Sequence, residues 1–374
     1  MKLKTIILSM GIAALTVNSI SSWAQQITYS MPQREDDYRN TSVEIIGKVG
    51  NNILVYKNNR GNNVISIYDQ NMKLVKNVPL QFLPERTLNV DFVAYPDHFQ
   101  MIYQFQHKAY VYCYGVLMDQ DADVVGQPLL IDSSRVGYGN VKAKIYSVIH
   151  SDDGKKVLIY KINQDNNYNN IFYTFLFDSQ LNFINNSRLV LSMRENRSFL
   201  SEFMVSNDGH FVFVKVARAG ANGNLSDAAL IIKPPMTDSF IVHPLNLQGK
   251  YLDEIKLKID NMNNKVFMAS FYTDSRRGNI VGLYAGEYSW NDGKFDDLKF
   301  IPFSDNLKMD AKNNSSINNA FNNFFIRQLV VRGDGGFLMT AESYYTTSNN
   351  QQWNRWNYMY SPWGFSPYYT PYYY

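Results

Sequence analysis

The stretch Ile145-Tyr-Ser-Val-Ile-His-Ser-Asp-Asp-Gly-Lys-Lys-Val-Leu-Ile-Tyr160 decides the fold class, because it reads as a strand, a turn and a second strand. The segments Ile145–Ile149 and Val157–Tyr160 are rich in β-branched and aromatic residues, which suit a pleated, half-buried surface. Between them, Ser151-Asp-Asp-Gly154 carries residues that favour tight turns. The same arrangement recurs along the chain. Val43–Val49 is followed by Gly50-Asn51-Asn52 and Ile53–Tyr56, and Val90–Tyr95 by Pro96-Asp97-His98 and Phe99–Tyr103. Phe199–Val205 precedes Asn207-Asp-Gly209 and Phe211–Val214, and Ile255–Ile259 precedes Asn261–Asn264 and Val266–Met268. The last instance joins Phe325–Val331 through Gly333–Gly336 to Phe337–Met339.

The second strands begin at 53, 99, 157, 211, 266 and 337, at intervals of 46, 58, 54, 55 and 71 residues, which is a repeat of about fifty with one long insertion. Units one, two, three and five show a further hairpin, turning at Asp69–Asn71, Asp119–Ala122, Asp178–Gln180 and Asn291–Gly293. Four strands per unit is the pattern of a propeller blade. In Glu254–Asp260 the apolar residues alternate strictly, so one face is wet, whereas Ile171–Phe177 is apolar nearly throughout, as for a strand covered on both faces. Radially stacked sheets produce both patterns. The expected fold is all-β and β-propeller-like, with about six four-stranded blades over 43–346, the last incomplete. The alternative is a pair of β domains or an irregular sandwich.

Ser151-Asp-Asp-Gly-Lys-Lys-Val-Leu-Ile159 resembles the S-x-D-G hairpin of TolB-type and related WD40-like bacterial β-propellers. Ser206-Asn-Asp-Gly-His-Phe-Val-Phe213 matches it too, and Arg332-Gly-Asp-Gly-Gly-Phe-Leu338 more loosely; the other three units lack Asp-Gly. The resemblance implies a blade hairpin and nothing catalytic. The Asn- and Tyr-rich composition and the tail also resemble secreted Bacteroidota proteins of unassigned activity.

The N-terminus reads as a secretory signal. Lys2 and Lys4 precede the apolar run Thr5–Val17, and Ser22-Trp-Ala24 places small residues before a cut at Gln25. The competing reading is a membrane anchor or buried helix. No cysteine lies near the cut, so a lipid-anchored N-terminus is not expected. Removing 1–24 leaves 34 basic against 33 acidic residues and an N-terminal extension over 25–42. No basic block stands out, which argues against a nucleic-acid partner. No second apolar stretch is long enough to span a bilayer. The one cysteine, Cys113, is read as a small core residue.

No catalytic residue, cofactor or metal site emerges. His98, His107, His150, His210 and His243 show no zinc spacing, and there is no nucleophile elbow, Walker loop or dinucleotide fingerprint. Asp119-Gln-Asp121-Ala-Asp123 has the start of a calcium loop, but Val124 and Leu130 stand where glycine and glutamate are needed, and a hairpin turn explains the acids. Adjacent acids such as Asp152-Asp153, Asp253-Glu254 and Asp296-Asp297 would point to opposite faces of a strand. Two acids from different units could still meet over a central channel.

The tail from Tyr344 to Tyr374 holds nine Tyr and three Trp among spaced prolines. It reads as a long insertion or low-complexity tail, or alternatively as an aromatic surface for stacking on sugars or peptides. On the second reading Trp353, Trp356, Trp363, Tyr368 and Tyr369 are the candidate ligand contacts. The sequence as given is also expected to stop inside its sixth blade, either as a fragment or closed by Gln26–Met31. The expected function is an exported, non-enzymatic binding or scaffolding module with a protein or glycan partner. A carbohydrate-active enzyme with its site at the channel mouth is the alternative.

Overall fold

The computed structural model describes residues 27–31 and 41–343 apart from 85–86, 140, 142–143, 166, 168, 194–196, 221–222 and 314–323. The expected signal, most of the 25–42 extension and the five tail residues Trp353, Trp356, Trp363, Tyr368 and Tyr369 lie outside the described residues. The chain is all-β and β-propeller-like. It forms two compact units, Met1–Gln81 and Phe82–Tyr374.

The first unit holds one antiparallel meander of four strands, β1 (Thr41–Val49), β2 (Asn52–Asn59), β3 (Asn62–Tyr68) and β4 (Leu74–Pro79). The second unit opens with two more meanders of the same order. One is β5 (Thr87–Ala94), β6 (His98–His107), β7 (Tyr110–Asp119) and β8 (Val124–Arg135). The other is β9 (Ser147–His150), β10 (Val157–Gln164), β11 (Asn169–Phe177) and β12 (Phe183–Ser192).

A fourth set follows with β13 (Ser198–Val205), β14 (Phe211–Arg218), β15 (Leu225–Lys233) and β16 (Ile241–Pro244). Its second hairpin, β15–β16, is one that the sequence pattern does not show. After β17 (Tyr251–Leu252) comes a fifth set, β18 (Lys256–Asp260), β19 (Lys265–Thr273), β20 (Ile280–Ser289) and β21 (Lys294–Pro302). The two residues of β17 pair with both β15 and β19, so these sets form one nine-stranded sheet rather than two separate ones. A short helix, α1 (Asp305–Asn313), leads to β22 (Phe324–Val331) and β23 (Phe337–Ser343), the only two strands of the sixth set among the described residues.

Within the second unit the sheets stack face to face. In β14, Phe211 and Phe213 join the core shared with Tyr160 and Phe172, while Val212, Val214 and Val216 join the core shared with Leu257, Val266 and Met268. Consecutive residues of one strand therefore serve two cores, which is why the central strands read as unbroken apolar runs. The strand β19 repeats this, with Phe267, Ala269 and Phe271 turned to Ile326 and Leu329. The first strands of successive sets touch in turn, β9 with β13, β13 with β18, and β18 with β22. They define an axis, as the inner strands of blades do. Cys113 is fully buried in the core between the second and third sets, and burial pushes its thiol pKa up.

The turns follow the local chemistry of the sequence. Gly154 and Gly209 sit at φ 69° and 97°, where a side chain strains the backbone, and each closes a hairpin by donating to a serine carbonyl. Asp119 is a turn residue, since its Oδ1 accepts the backbone N–H of Asp121 and Asp123 at 2.9 Å. Asp69 and Asp178 make the same turn, and Met72, Ala122 and Leu181, each held near φ 58°, stand between the two capped N–H groups of their turns.

Candidate functional site

Two charged regions of the second unit are candidates. The first lies at the axis. Glu202, on β13, is buried although the surrounding Phe199–Val205 reads as an apolar strand; a bulge between Ser201 and Met204 and a φ of 58° at Glu202 re-aim it. Its Oε1 lies 3.2 Å from Lys256 Nζ, and its Oε2 accepts the backbone N–H of Leu257 at 3.2 Å. Lys256 also lies 3.7 Å from Glu254, whose Oε1 accepts the backbone N–H of Ile326 at 2.9 Å. Two carboxylates from different repeats therefore meet on one ammonium. Burial, the dominant influence, raises the Glu202 pKa despite the pull of Lys256.

Every carboxylate oxygen in this group is engaged. Each glutamate binds the first strand of the next set through that strand's backbone, Glu202 to β18 and Glu254 to β22. Gln104 does the equivalent between the second and third sets, accepting from Ile145 and Tyr146 and donating to the Tyr146 carbonyl. The arrangement ties sheets together and leaves no oxygen aimed at a ligand. At the mouth of the axis, Lys258 Nζ reaches Asp152 at 3.0 Å, and Asn261 donates to the same carboxylate. Here the turns are laced at the repeat spacing. Asn207 accepts from the Asp153 backbone and Asn261 accepts from the Asn207 backbone.

A third polar cluster, between the second and third sets, is likewise committed. Lys161 is buried with its ammonium 2.5 Å from Asp132 and 2.7 Å from Ser134 Oγ. Asp132 also accepts from Tyr146 OH at 2.9 Å. The Lys161 ammonium is thereby committed to Asp132 and Ser134.

The second candidate is open. A pocket of about 550 Å³ lies over the outer half of the fifth set. Its floor is a register row across three strands, Phe267 opposite Glu287 and Glu287 opposite Asp296. Phe337 of β23 forms a wall, its ring 4.4 Å from that of Phe267. Lys265 lies 2.8 Å from Glu287 and 3.9 Å from Asp296, and Lys299 lies 3.7 Å from Asp297. Asp296 and Asp297 both line this pocket, contrary to the expectation that neighbouring acids face opposite ways. The register shift opposite them and the left-handed φ of 52° at Asp297 break the strand alternation.

The pocket exists because the hairpin β22–β23 lies on β18 and β19 and leaves β21 largely uncovered. In the third set, by contrast, the outer strand buries Leu189 and Leu191 in a core with Ala229 and Ile231 of the next sheet. None of Glu202, Lys256, Glu287 or Lys265 was singled out in the sequence. Their only local sign is a charge inside an otherwise apolar strand, and their partners come from other strands. Among the described residues no three His, Cys, Asp or Glu side chains are grouped as a metal site requires.

No protein-family model matches the chain, and no curated protein matches it. Among solved structures it is similar to a prolyl endopeptidase at 9% identity and a TM-score of 0.42, covering 79% of this chain and 39% of that one. A variant of Synechocystis apocarotenoid oxygenase gives 9% identity and a TM-score of 0.40, with 80% and 65% covered. A thermostable family-43 glycoside hydrolase gives 10% identity and a TM-score of 0.30, with 74% and 97% covered. The chain spans about two fifths of the prolyl endopeptidase it matches. Likenesses at this level transfer no activity to the chain.

Proposed function

We propose that this chain is an exported, non-enzymatic binding module of the periplasm or cell surface, related to TolB-type propellers through its Ser151 and Ser206 hairpins. The observation that carries the reading is the contrast between its charged groups. The buried carboxylates Glu202 and Glu254 are occupied by Lys256 and by backbone amides, whereas the pocket over Glu287 is open and mixes carboxylates, lysines and aromatic rings. An acid/base pair needs a free carboxyl facing a substrate; a binding site needs a concave surface with a few oriented polar groups. Export rests on the charge, apolar run and small-residue pattern of residues 1–24.

A broad glycan and peptide screen on protein lacking residues 1–24 tests this. Retention of one ligand class without chemical change supports the reading. Turnover of a bound glycan that is lost in Glu202→Gln overturns it in favour of a carbohydrate-active enzyme. N-terminal sequencing of exported material should begin at Gln25, and a retained Met1 would rule out the export half.

A further inference from the structure

We infer that the pocket over the fifth sheet binds a primary alkylammonium group, carried by a linear diamine or by a lysine side chain of a peptide. The inference rests on the binding-module reading and names the chemistry of its site. The pocket's volume of about 550 Å³ is in the range of small-ligand sites. Its charges are unevenly matched. Lys265 alone serves both Glu287 and Asp296, and the Lys299–Asp297 pair stands apart, so the lining holds three carboxylates against two ammonium groups. The Glu287 hydrogen bond first, and then the charges of Asp296 and Asp260, hold the Lys265 pKa above its ordinary value, so that lysine stays a cation and does not become an acceptor.

The second half of the argument is the aromatic wall. Phe337 keeps about a third of its surface exposed and leans on the buried ring of Phe267, which stands in register with Glu287. A ring face next to carboxylates suits a cation on an apolar stem, because the ring attracts the charge and covers the methylenes while the carboxylates take the N–H groups. An anion would meet three carboxylates, and a neutral sugar would leave the extra charge uncompensated. Asp296 is over a third exposed, and it can turn toward a second cation without breaking the Lys265–Glu287 contact.

The test is isothermal titration of the chain lacking residues 1–24 with 1,5-diaminopentane, with the peptide Ala-Lys-Ala blocked at both ends, and with its Nε-acetyl form. Expected are binding of the peptide, at least tenfold weaker binding of the acetylated form, and weakening with added salt. Binding of the diamine as well assigns a free amine as a sufficient ligand; binding of the peptide alone assigns a protein partner. The double variant Glu287→Gln, Asp296→Asn should lose at least tenfold with an unchanged far-UV spectrum, and Phe337→Ala should lose several-fold at unchanged charge. Equal binding of the acetylated peptide, or full binding by the double variant, overturns the inference. A screen ligand that is neutral or anionic and still held by the double variant sinks the ammonium assignment and leaves the binding module standing. An absence of binding by every probe and every screen ligand sinks both.

Discussion

Glu202 at the axis and Glu287 over the fifth sheet are both glutamates bonded to a lysine, at 3.2 and 2.8 Å, yet they do different work. The Glu202 side chain is 5% exposed and its second oxygen binds a backbone amide of β18, so its charge is part of how the fourth and fifth sets are joined. The Glu287 side chain is 15% exposed and its lysine 30% exposed, beside a cavity and a further acid. The shorter contact is the less structural one. Solvent lowers the worth of an ion pair, and burial makes the loss of one partner expensive whatever the distance. A site is therefore recognised here by unsatisfied capacity next to open space, and not by the closeness of its charges.

The largest effect should come from removing the shared cation. Lys256→Met leaves two buried carboxylates facing each other and should cost about 3–5 kcal/mol in urea denaturation at pH 7. The deficit should shrink as pH falls, because burial raises the Glu202 pKa and protonating that glutamate relieves the uncompensated charge. In comparison, Glu287→Gln should change stability by less than about 1 kcal/mol. Equal losses for the two variants would erase the distinction between axis and pocket.

Next in size are the hairpin glycines. Gly154→Val and Gly209→Val should each cost about 1–3 kcal/mol, read as lower thermal midpoints, because both backbones are left-handed. Gly209 should be the worse, since an added Cβ comes within 3.2 Å of both Leu176 and Pro235, whereas at Gly154 it meets only the Tyr95 ring.

The pH response should separate the two kinds of carboxylate. Burial is the largest influence on Asp208 and pulls its pKa up, but hydrogen bonds with His210 and Ser206 outweigh it and bring the pKa down to about 2. A depressed carboxyl contributes stability above its unfolded value of roughly 4, and that contribution fades as pH falls toward 2. Asp208 is nearly half exposed, so after screening the contribution is on the order of 1 kcal/mol. Asp208→Asn should flatten that limb of an acid denaturation curve. Glu202 has the opposite sign: its raised pKa makes its own ionisation a cost that grows as pH climbs above its unfolded value of roughly 4.3. The smallest effect is expected at Ala122, held at φ 58°, where Ala122→Gly should raise stability by up to about 1 kcal/mol by calorimetry.

The strands were legible because their causes are local. Val157, Phe211 and Phe337 begin second strands in the structure as read from the sequence, and the other three begin within one residue of the expected position. Turn residues such as Gly154, Gly209 and Asp119 announce themselves by chemistry that acts within a few residues. The second hairpin of the fourth set was missed because β16 is short and lies beyond a Pro-rich turn, Lys233-Pro-Pro-Met236, that breaks the pattern. The joining of the fourth and fifth sets by β17 could not be read either, since two residues carry no period.

What the sequence determined by itself is the class, the repeat and the turn geometry, all of which follow from side-chain preferences over distances of a few residues. Only the tertiary structure decided which charges are spent. Glu202 meets Lys256 and Leu257 across 54 and 55 residues, and Glu254 meets Ile326 across 72. Burial and partnership are properties of the space between strands, and that space is set by how sheets stack. The pocket over Glu287 has the same origin: β20 and β21 are ordinary strands, and what opens the site is the uncovered face above them.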